Sequence, residues 1–229
     1  MSNLCIITAR GGSKRIPRKN IRSFLGKPII AYSVEAALKS GVFDEVMVST
    51  DDEEIRTVAL QYGATVPFLR SEATSNDYAT TADVLNEVLN EYENRGRTFA
   101  FFACVYPTAP FVTSEKLKAA MESIVSSDAD SIRTVVQYSY PPQRAFVLRD
   151  GILTYQYPQY YRTRSQDLEP IYHDCGQFYI YRTASFRAFG DAGKMLPIVM
   201  PEEETQDIDN YSDWELAEVK YKKFILREN

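Results

Sequence analysis

The chain has 229 residues, 45% hydrophobic and 25% charged, which suits one substantial globular domain and excludes a disordered, collagen-like or low-complexity chain. Its 26 cations and 31 anions are unevenly placed: residues 1–34 carry seven cations and no acid, so the remainder holds 19 cations against 31 anions. An acidic protein with one basic segment is poorly suited to coating a nucleic acid and well suited to gripping a small, highly charged anion.

The pattern begins with a buried strand, Leu4–Ala9, followed by a basic loop from Arg10 to Asn20. Pro28 then opens a helix over Ile29–Ser40 that Gly41 caps. Glu45–Thr50 reads as a second strand, and Asp51 and Asp52 cap a helix over Glu53–Tyr62 that Gly63 ends. A short third strand is expected at Thr65–Leu69, a helix at Thr80–Glu93 and an apolar fourth strand at Phe99–Tyr106. Pro107-Thr108-Ala109-Pro110 is a rigid loop, Ser114 caps a helix over Glu115–Ser126, and Ser131–Val136 is a fifth strand. Such alternation predicts an α/β fold with a mainly parallel sheet and helices on both faces.

The pattern changes after Val136. Nine of the 16 tyrosines lie between Tyr138 and Tyr181, and Ala145–Leu148 and Ile152–Tyr157 flank the turn signal Arg149-Asp150-Gly151. We read 138–176 as an inserted β region within a single domain spanning 1–229, its exposed aromatics suiting an interface. Strand character returns at Gln177–Tyr181 and Pro197–Met200, and Ser212–Arg227 closes the chain as an amphipathic helix.

The longest strongly apolar stretch, Phe99–Tyr106, is far below the ~18–20 residues of a membrane span. The N-terminal residues have no secretory pattern, and Cys5, Cys104 and Cys175 have no disulfide or zinc-ligand spacing, so the expectation is a cytoplasmic protein with reduced core cysteines and no membrane partner. His173 is the sole histidine and no GxSxG elbow is present, which leaves little room for a hydrolase triad.

In a parallel α/β sheet, ligands bind beyond the carboxyl ends of the strands. The basic loop leaves the first strand at that edge. Gly11 and Gly12 let backbone approach an anion, and Arg10 and Lys14 add full charges that pair with phosphates. The spacing is neither GxxxxGK[ST] nor GxGxxG. Gln206-Asp207-Ile208-Asp209 precedes the last helix. In extended chain its two acids share a side and offer a hard cation such as Mg²⁺ a pair of carboxylates, one of them alternatively serving as the helix cap. A phosphate loop with such a pair points to phosphoryl or nucleotidyl transfer.

Ile6–Lys14 with Lys19-Asn20, Leu25–Ser33, Val48–Asp52, Tyr106–Pro110 and Gln206–Asp209 resemble the cytidylyltransferases that activate nine-carbon acidic sugars, the CMP-sialic acid synthetases and their relatives. Thr163–Leu168 and His173–Tyr179 resemble most the branch acting on pseudaminic acid. The resemblance implies a Rossmann-like fold, a homodimer built through the inserted β-hairpin region, and a reaction of CTP with a nonulosonic acid that gives the CMP-sugar and pyrophosphate with Mg²⁺ as cofactor. It implies that Arg10, Ser13 and Lys14 hold the triphosphate over Gly11 and Gly12, that Lys19 and Asn20 also contact the nucleotide, and that Arg70 sits near the cytosine. Asp207 and Asp209 would bind the metal, and with Arg10 and Lys14 they form the implied catalytic set. On the sugar side it implies Tyr106, Gln143, Arg164, His173, Gln177 and Phe178, with the Arg164 fork the first choice for the sugar carboxylate. The base that takes the hydroxyl proton is left open between a metal-bound hydroxide held through Asp207 or Asp209 and His173, which reads equally as a structural histidine beside Asp174.

Two positions depart from the family pattern. Thr8 stands where many relatives have Pro, and Tyr106 where sialic acid enzymes have Gln, which argues against ordinary sialic acid. Sialic, legionaminic and 3-deoxy-octulosonic acids are the alternative substrates, and a non-catalytic nucleotide-binding regulatory domain is the alternative outside enzymes.

Overall fold

Six strands make the central sheet of the computed structural model, which describes residues 2–228. In chain order they are β1 (Asn3–Thr8), β2 (Glu45–Ser49), β3 (Phe101–Val105), β4 (Ser131–Gln137), β7 (Tyr172–Arg182) and β8 (Met195–Val199), while β5 (Phe146–Arg149) and β6 (Ile152–Tyr155) form a separate hairpin. The sheet order is β8-β4-β7-β3-β1-β2. Strands β2 and β3 run parallel to β1, β8 runs parallel to β4, and β7 runs antiparallel to both β3 and β4. The helices are α1 (Ile29–Ser40), α2 (Glu53–Gln61), α3 (Glu72–Ser75), α4 (Thr81–Asn94), α5 (Ser114–Val125), α6 (Thr183–Phe189) and α7 (Tyr211–Lys220).

Strand periodicity divides the core into two layers. Cys5 and Ile7 of β1 face one side, packed with Val34 and Ala37 of α1 and Leu117 and Ile124 of α5. Leu4 and Ile6 face the other, with Leu85, Val88 and Leu89 of α4 and Phe186 of α6. A third cluster ties Phe24, Tyr32 and Phe111 to Trp214 of α7, which brings the last helix and the acidic segment before it against the N-terminal third. All three cysteines are buried and free.

The mainly parallel sheet with helices on both faces is the expected one, and a hairpin forms at the expected place, with Arg149 in its first strand and the second ending at Tyr155 instead of Tyr157. Several local expectations change. Thr65–Leu69 makes a single bridge, Met47 to Thr65, instead of a strand. Thr113, not Ser114, caps α5, its side chain accepting from the Lys116 N–H. Pro28 stands one residue ahead of α1 as its cap. The closing helix is α-helical only to Lys220 and widens into a π-turn over Tyr221–Leu226. Strand β7 begins at Tyr172, five residues before the expected Gln177, because the polar run Tyr172–Asp174 pairs with Val135–Gln137 of β4.

Candidate active site

The basic loop leaves Thr8 at the carboxyl end of β1 and rims a cleft of about 410 Å³. Arg10, Ser13, Lys14, Arg15, Lys19 and Asn20 line one side, and Tyr106, Pro107 and Thr108, just past the carboxyl end of β3, line the other. Four of its residues pin the loop. The Gly11 N–H donates to Asp51 Oδ1 at 2.9 Å, and Arg18 makes a two-pronged bond to Asp52 at 2.5 and 2.9 Å while also pairing with Glu54. Asn20, buried, donates from Nδ2 to the Arg10 carbonyl at 2.8 Å. Lys19 Nζ donates to the Ile208 carbonyl at 2.7 Å.

These bonds revise the role of the glycines. The Gly11 N–H is committed to Asp51, and a Cβ at Gly11 would lie 2.8 Å from Asp52 Oδ2, so glycine is required there for close packing. Gly12 is exposed with open space around it. Asp52 also accepts from the Glu54 and Ile55 N–H groups as the cap of α2. The Arg18 hydrogen bond, with those backbone donors, draws its carboxyl down to about 2. Burial pulls the Lys19 ammonium below its ordinary value, against the opposing charges of Asp209 and Asp207.

Beside the main cleft lies a second cavity of about 250 Å³, which shares Thr8 and Arg10 as wall residues and contains Arg70. Arg70 is 8% exposed, and its guanidinium donates to the Ser49 carbonyl at 2.7 Å and the Ser49 hydroxyl at 3.1 Å at the end of β2. Asp77, from the segment between α3 and α4, lines this second cavity. Arg10 Nη1 reaches its Oδ1 at 3.0 Å, and Lys14 reaches its Oδ2. The Lys14 hydrogen bond and charge, then Arg10, hold the Asp77 carboxyl below its usual range.

The acid pair flanks Ile208, which is buried in the third cluster. Asp209 pairs with Arg15 at 2.7 Å and lies 3.9 Å from Lys19. Asp207 is exposed and lines another cavity, of about 280 Å³, with Tyr138, His173, Glu202 and Lys220. In this structure the two carboxylates make different contacts, Asp209 on the basic loop and Asp207 in the adjoining cavity. Neither caps α7, since Asn210 takes that role in a reciprocal pair with Asp213. Among the described residues, no three His, Cys, Asp or Glu side chains are grouped to hold a metal.

The expected sugar-side residues scatter. Tyr106 does line the cleft. Its backbone is held by the Ser33 hydroxyl at 2.8 Å and the Gln177 carbonyl at 3.0 Å, and its ring meets Tyr179 edge-on at 5.7 Å. His173 lines the Asp207 cavity, its ring 4.6 Å from that of Tyr138. Phe178 is fully buried in the core between β3 and β4, so a direct substrate contact is excluded for it. Gln177, also buried, donates to the Glu204 carbonyl at 2.8 Å and so braces the approach to the acid pair. Gln143 is buried on the Glu169 carbonyl at 2.7 Å, inside the inserted region. Arg164 is exposed and pairs with Asp167 three residues on, at 2.7 Å, away from the cleft.

Sequence reasoning did not single out Arg15, Thr108, Asp51, Asp52 or Asp77 as parts of the site. Arg15 lies inside the basic loop, where its position among the other cations is the signal that marks it. Asp77 lies more than sixty residues from the cations that hold it, with no local pattern to mark it.

The family model described as Cytidylyltransferase matches residues 4–223. The chain is 43% identical to a pseudaminic acid cytidylyltransferase of Campylobacter jejuni, over 97% of both chains. It is 33% identical to a CMP-N,N'-diacetyllegionaminic acid synthase of Legionella pneumophila, over 95% of both. A solved structure of a CMP:2-keto-3-deoxy-manno-octonic acid synthetase complexed with CTP superposes with a TM-score of 0.68 at 17% identity, covering 96% of this chain and 98% of that one, a likeness of the Rossmann-like α/β fold. With a matching family model over nearly its whole length and a relative at this identity end to end, the chain belongs to the cytidylyltransferase family.

Proposed function

We propose that this protein transfers the cytidylyl group of CTP to a nine-carbon acidic sugar, pseudaminic acid by preference, releasing pyrophosphate. The observation that carries the reading is the end-to-end 43% identity to a pseudaminic acid cytidylyltransferase, joined to a cleft in which Arg10, Lys14, Arg15 and Lys19 face the Tyr106–Thr108 loop.

In this reading the anomeric 2-hydroxyl of the sugar attacks the α-phosphorus in line with departing pyrophosphate. Such a step needs positioning and charge neutralisation more than covalent chemistry. Arg10, Lys14 and Ser13 hold the triphosphate, Lys19 and Asn20 fix the loop that presents them, and Arg70 receives the cytosine side in the adjoining cavity. Gly11 sets the loop against Asp51 and Asp52, and Gly12 leaves the approach open. Tyr106 shapes the sugar side, and the cavity holding His173 and Asp207 extends it.

A magnesium ion uses one or two carboxylates with phosphate oxygens. Asp207 and Asp209, hard oxygen donors on either side of the Lys19-bound Ile208 carbonyl, suit that donor set, and they are the residues that would hold it. When bound, the ion neutralises phosphate charge and makes pyrophosphate a better leaving group. Exposed apolar side chains on the hairpin, among them Phe146, Leu148, Ile152 and Leu153, support a homodimer formed through this region. A CTP-dependent reaction and three unpaired buried cysteines fit a cytoplasmic enzyme.

The test is pyrophosphate release from CTP and Mg²⁺ with pseudaminic, legionaminic, N-acetylneuraminic and 3-deoxy-octulosonic acids in parallel. The reading expects the highest kcat/KM with pseudaminic acid. CTP binding without pyrophosphate release from any of them would favour the regulatory-domain alternative.

A further inference from the structure

The main cleft and the Arg70 cavity meet at Thr8 and Arg10, and an ion cluster spans the junction, with Lys14 lining the cleft and Asp77 the cavity. Arg10 Nη1 donates to Asp77 Oδ1 at 3.0 Å and to the Asn76 carbonyl at 3.1 Å, and Lys14 holds the other oxygen of Asp77. Both cations come from the basic loop, and the carboxylate comes from the segment joining α3 to α4. That segment is organised without them: the Asn76 side chain accepts from the Tyr78 and Ala79 N–H groups at 2.8 and 3.1 Å, and Ser71 is anchored to Glu87 by two bonds of 2.8 Å. The segment therefore has a turn and an anchor of its own, and the cluster adds its tie to the basic loop, so opening the cluster loosens the segment without unfolding it.

We propose that Asp77 is a gate in the nucleotide site: its carboxylate occupies the anion seat formed by Arg10 and Lys14, and a polyphosphate must displace it to join the two cavities. This rests on the nucleotide-binding reading above and adds the residue that sets the threshold for entry. A single carboxylate brings one charge and two oxygens to those donors. A triphosphate brings several charges and many oxygens, so it outcompetes the carboxylate, whereas a singly charged anion does not. The side chains of the cluster are 39% to 77% exposed, and solvent-exposed pairs are individually weak, so the displacement is cheap enough to occur on binding. The opposite role, in which Asp77 steadies Arg10 and Lys14 for the ligand, predicts weaker binding when the charge is removed.

Calorimetric titration of wild type and Asp77→Asn with inorganic tripolyphosphate and with CTP separates the two. Asparagine keeps the size and removes the charge. The gate predicts that the variant binds both ligands roughly threefold to tenfold more tightly at low ionic strength, with the gap closing at high salt. Equal or weaker binding by the folded variant would overturn it. Hydrogen–deuterium exchange of residues 71–80 in the wild type needs no variant: exchange rises when tripolyphosphate binds if the segment is released, and unchanged or slower exchange would contradict release. If neither protein binds tripolyphosphate or CTP, the gate and the functional reading fall together. Tight binding without a difference between the proteins removes the gate alone.

Discussion

The ammonium of Lys19 donates to the backbone carbonyl of Ile208 at 2.7 Å, joining the N-terminal basic loop to the segment that carries Asp207 and Asp209. The two halves of the charge asymmetry, a cationic start and an acidic remainder, thus meet at one bond. Replacing Lys19 with methionine keeps much of the buried stem and deletes the donor. A hydrogen bond from a charged group contributes about 1.5–3 kcal/mol, so kcat/KM for CTP is expected to fall by roughly 10- to 100-fold, with the fold retained by circular dichroism. Unchanged kinetics would show that the loop holds its place without this tie.

Asp209 lies beside Arg15 and Lys19, at the point where a metal and a triphosphate would share charge. Asp209→Asn is expected to abolish turnover and flatten the dependence of residual rate on Mg²⁺ concentration. Near-normal activity in that variant would end the metal assignment.

Gly11 is required by contact, since the nearest atom to an added Cβ is the Asp52 carboxylate at 2.8 Å. Gly11→Ala must therefore push the loop off the α2 cap or break the Arg18–Asp52 pair. Overpacking of this kind costs about 1–3 kcal/mol. A lower Tm with weaker CTP binding is expected, whereas Gly12→Ala, with open space around it, should leave Tm unchanged.

The same pair makes a prediction in acid. Arg18 and the α2 backbone hold the Asp52 carboxyl at about 2, against an ordinary value of 3.8. A lowered native pKa stabilises the fold above the unfolded value, and that contribution is lost as pH falls from about 4 toward 2. Urea unfolding across this window should show Asp52→Asn less stable than wild type near neutrality and the gap narrowing in acid. A constant gap would mean that the effect of the substitution is not electrostatic.

Local punctuation made much of the fold legible. Helix α1 runs over the residues expected because Pro28 and Gly41 bracket it, and the hairpin forms around Asp150-Gly151, both at positive φ. The first half of β7 was not legible, because Tyr172-His173-Asp174 has no apolar alternation and becomes strand only by pairing with β4. Helix α6, seven residues without a side-chain cap, is likewise set by packing of Phe186 against Phe102 and Tyr181.

At the site, the contiguous loop Arg10–Asn20 could be found because all its residues leave one strand end. The sugar-side set comes from dispersed positions, and strand geometry sends Phe178 into the core while Gln143 and Gln177 each commit their Nε2 to a backbone carbonyl and leave a buried Oε1 without a partner. Asp77 was invisible because an acid's partners in three dimensions leave no trace in its neighbours along the chain.

The fate of the α-phosphorus tests the central claim most directly. With CTP labelled at the α-phosphate, pseudaminic acid and Mg²⁺, the label should move into an acid-labile CMP-sugar while label at the γ-position leaves as pyrophosphate, and Arg10→Ala should suppress both together. Label from the γ-position appearing on the sugar, or α-label remaining in CTP while the sugar is bound, would contradict cytidylyl transfer at this cleft.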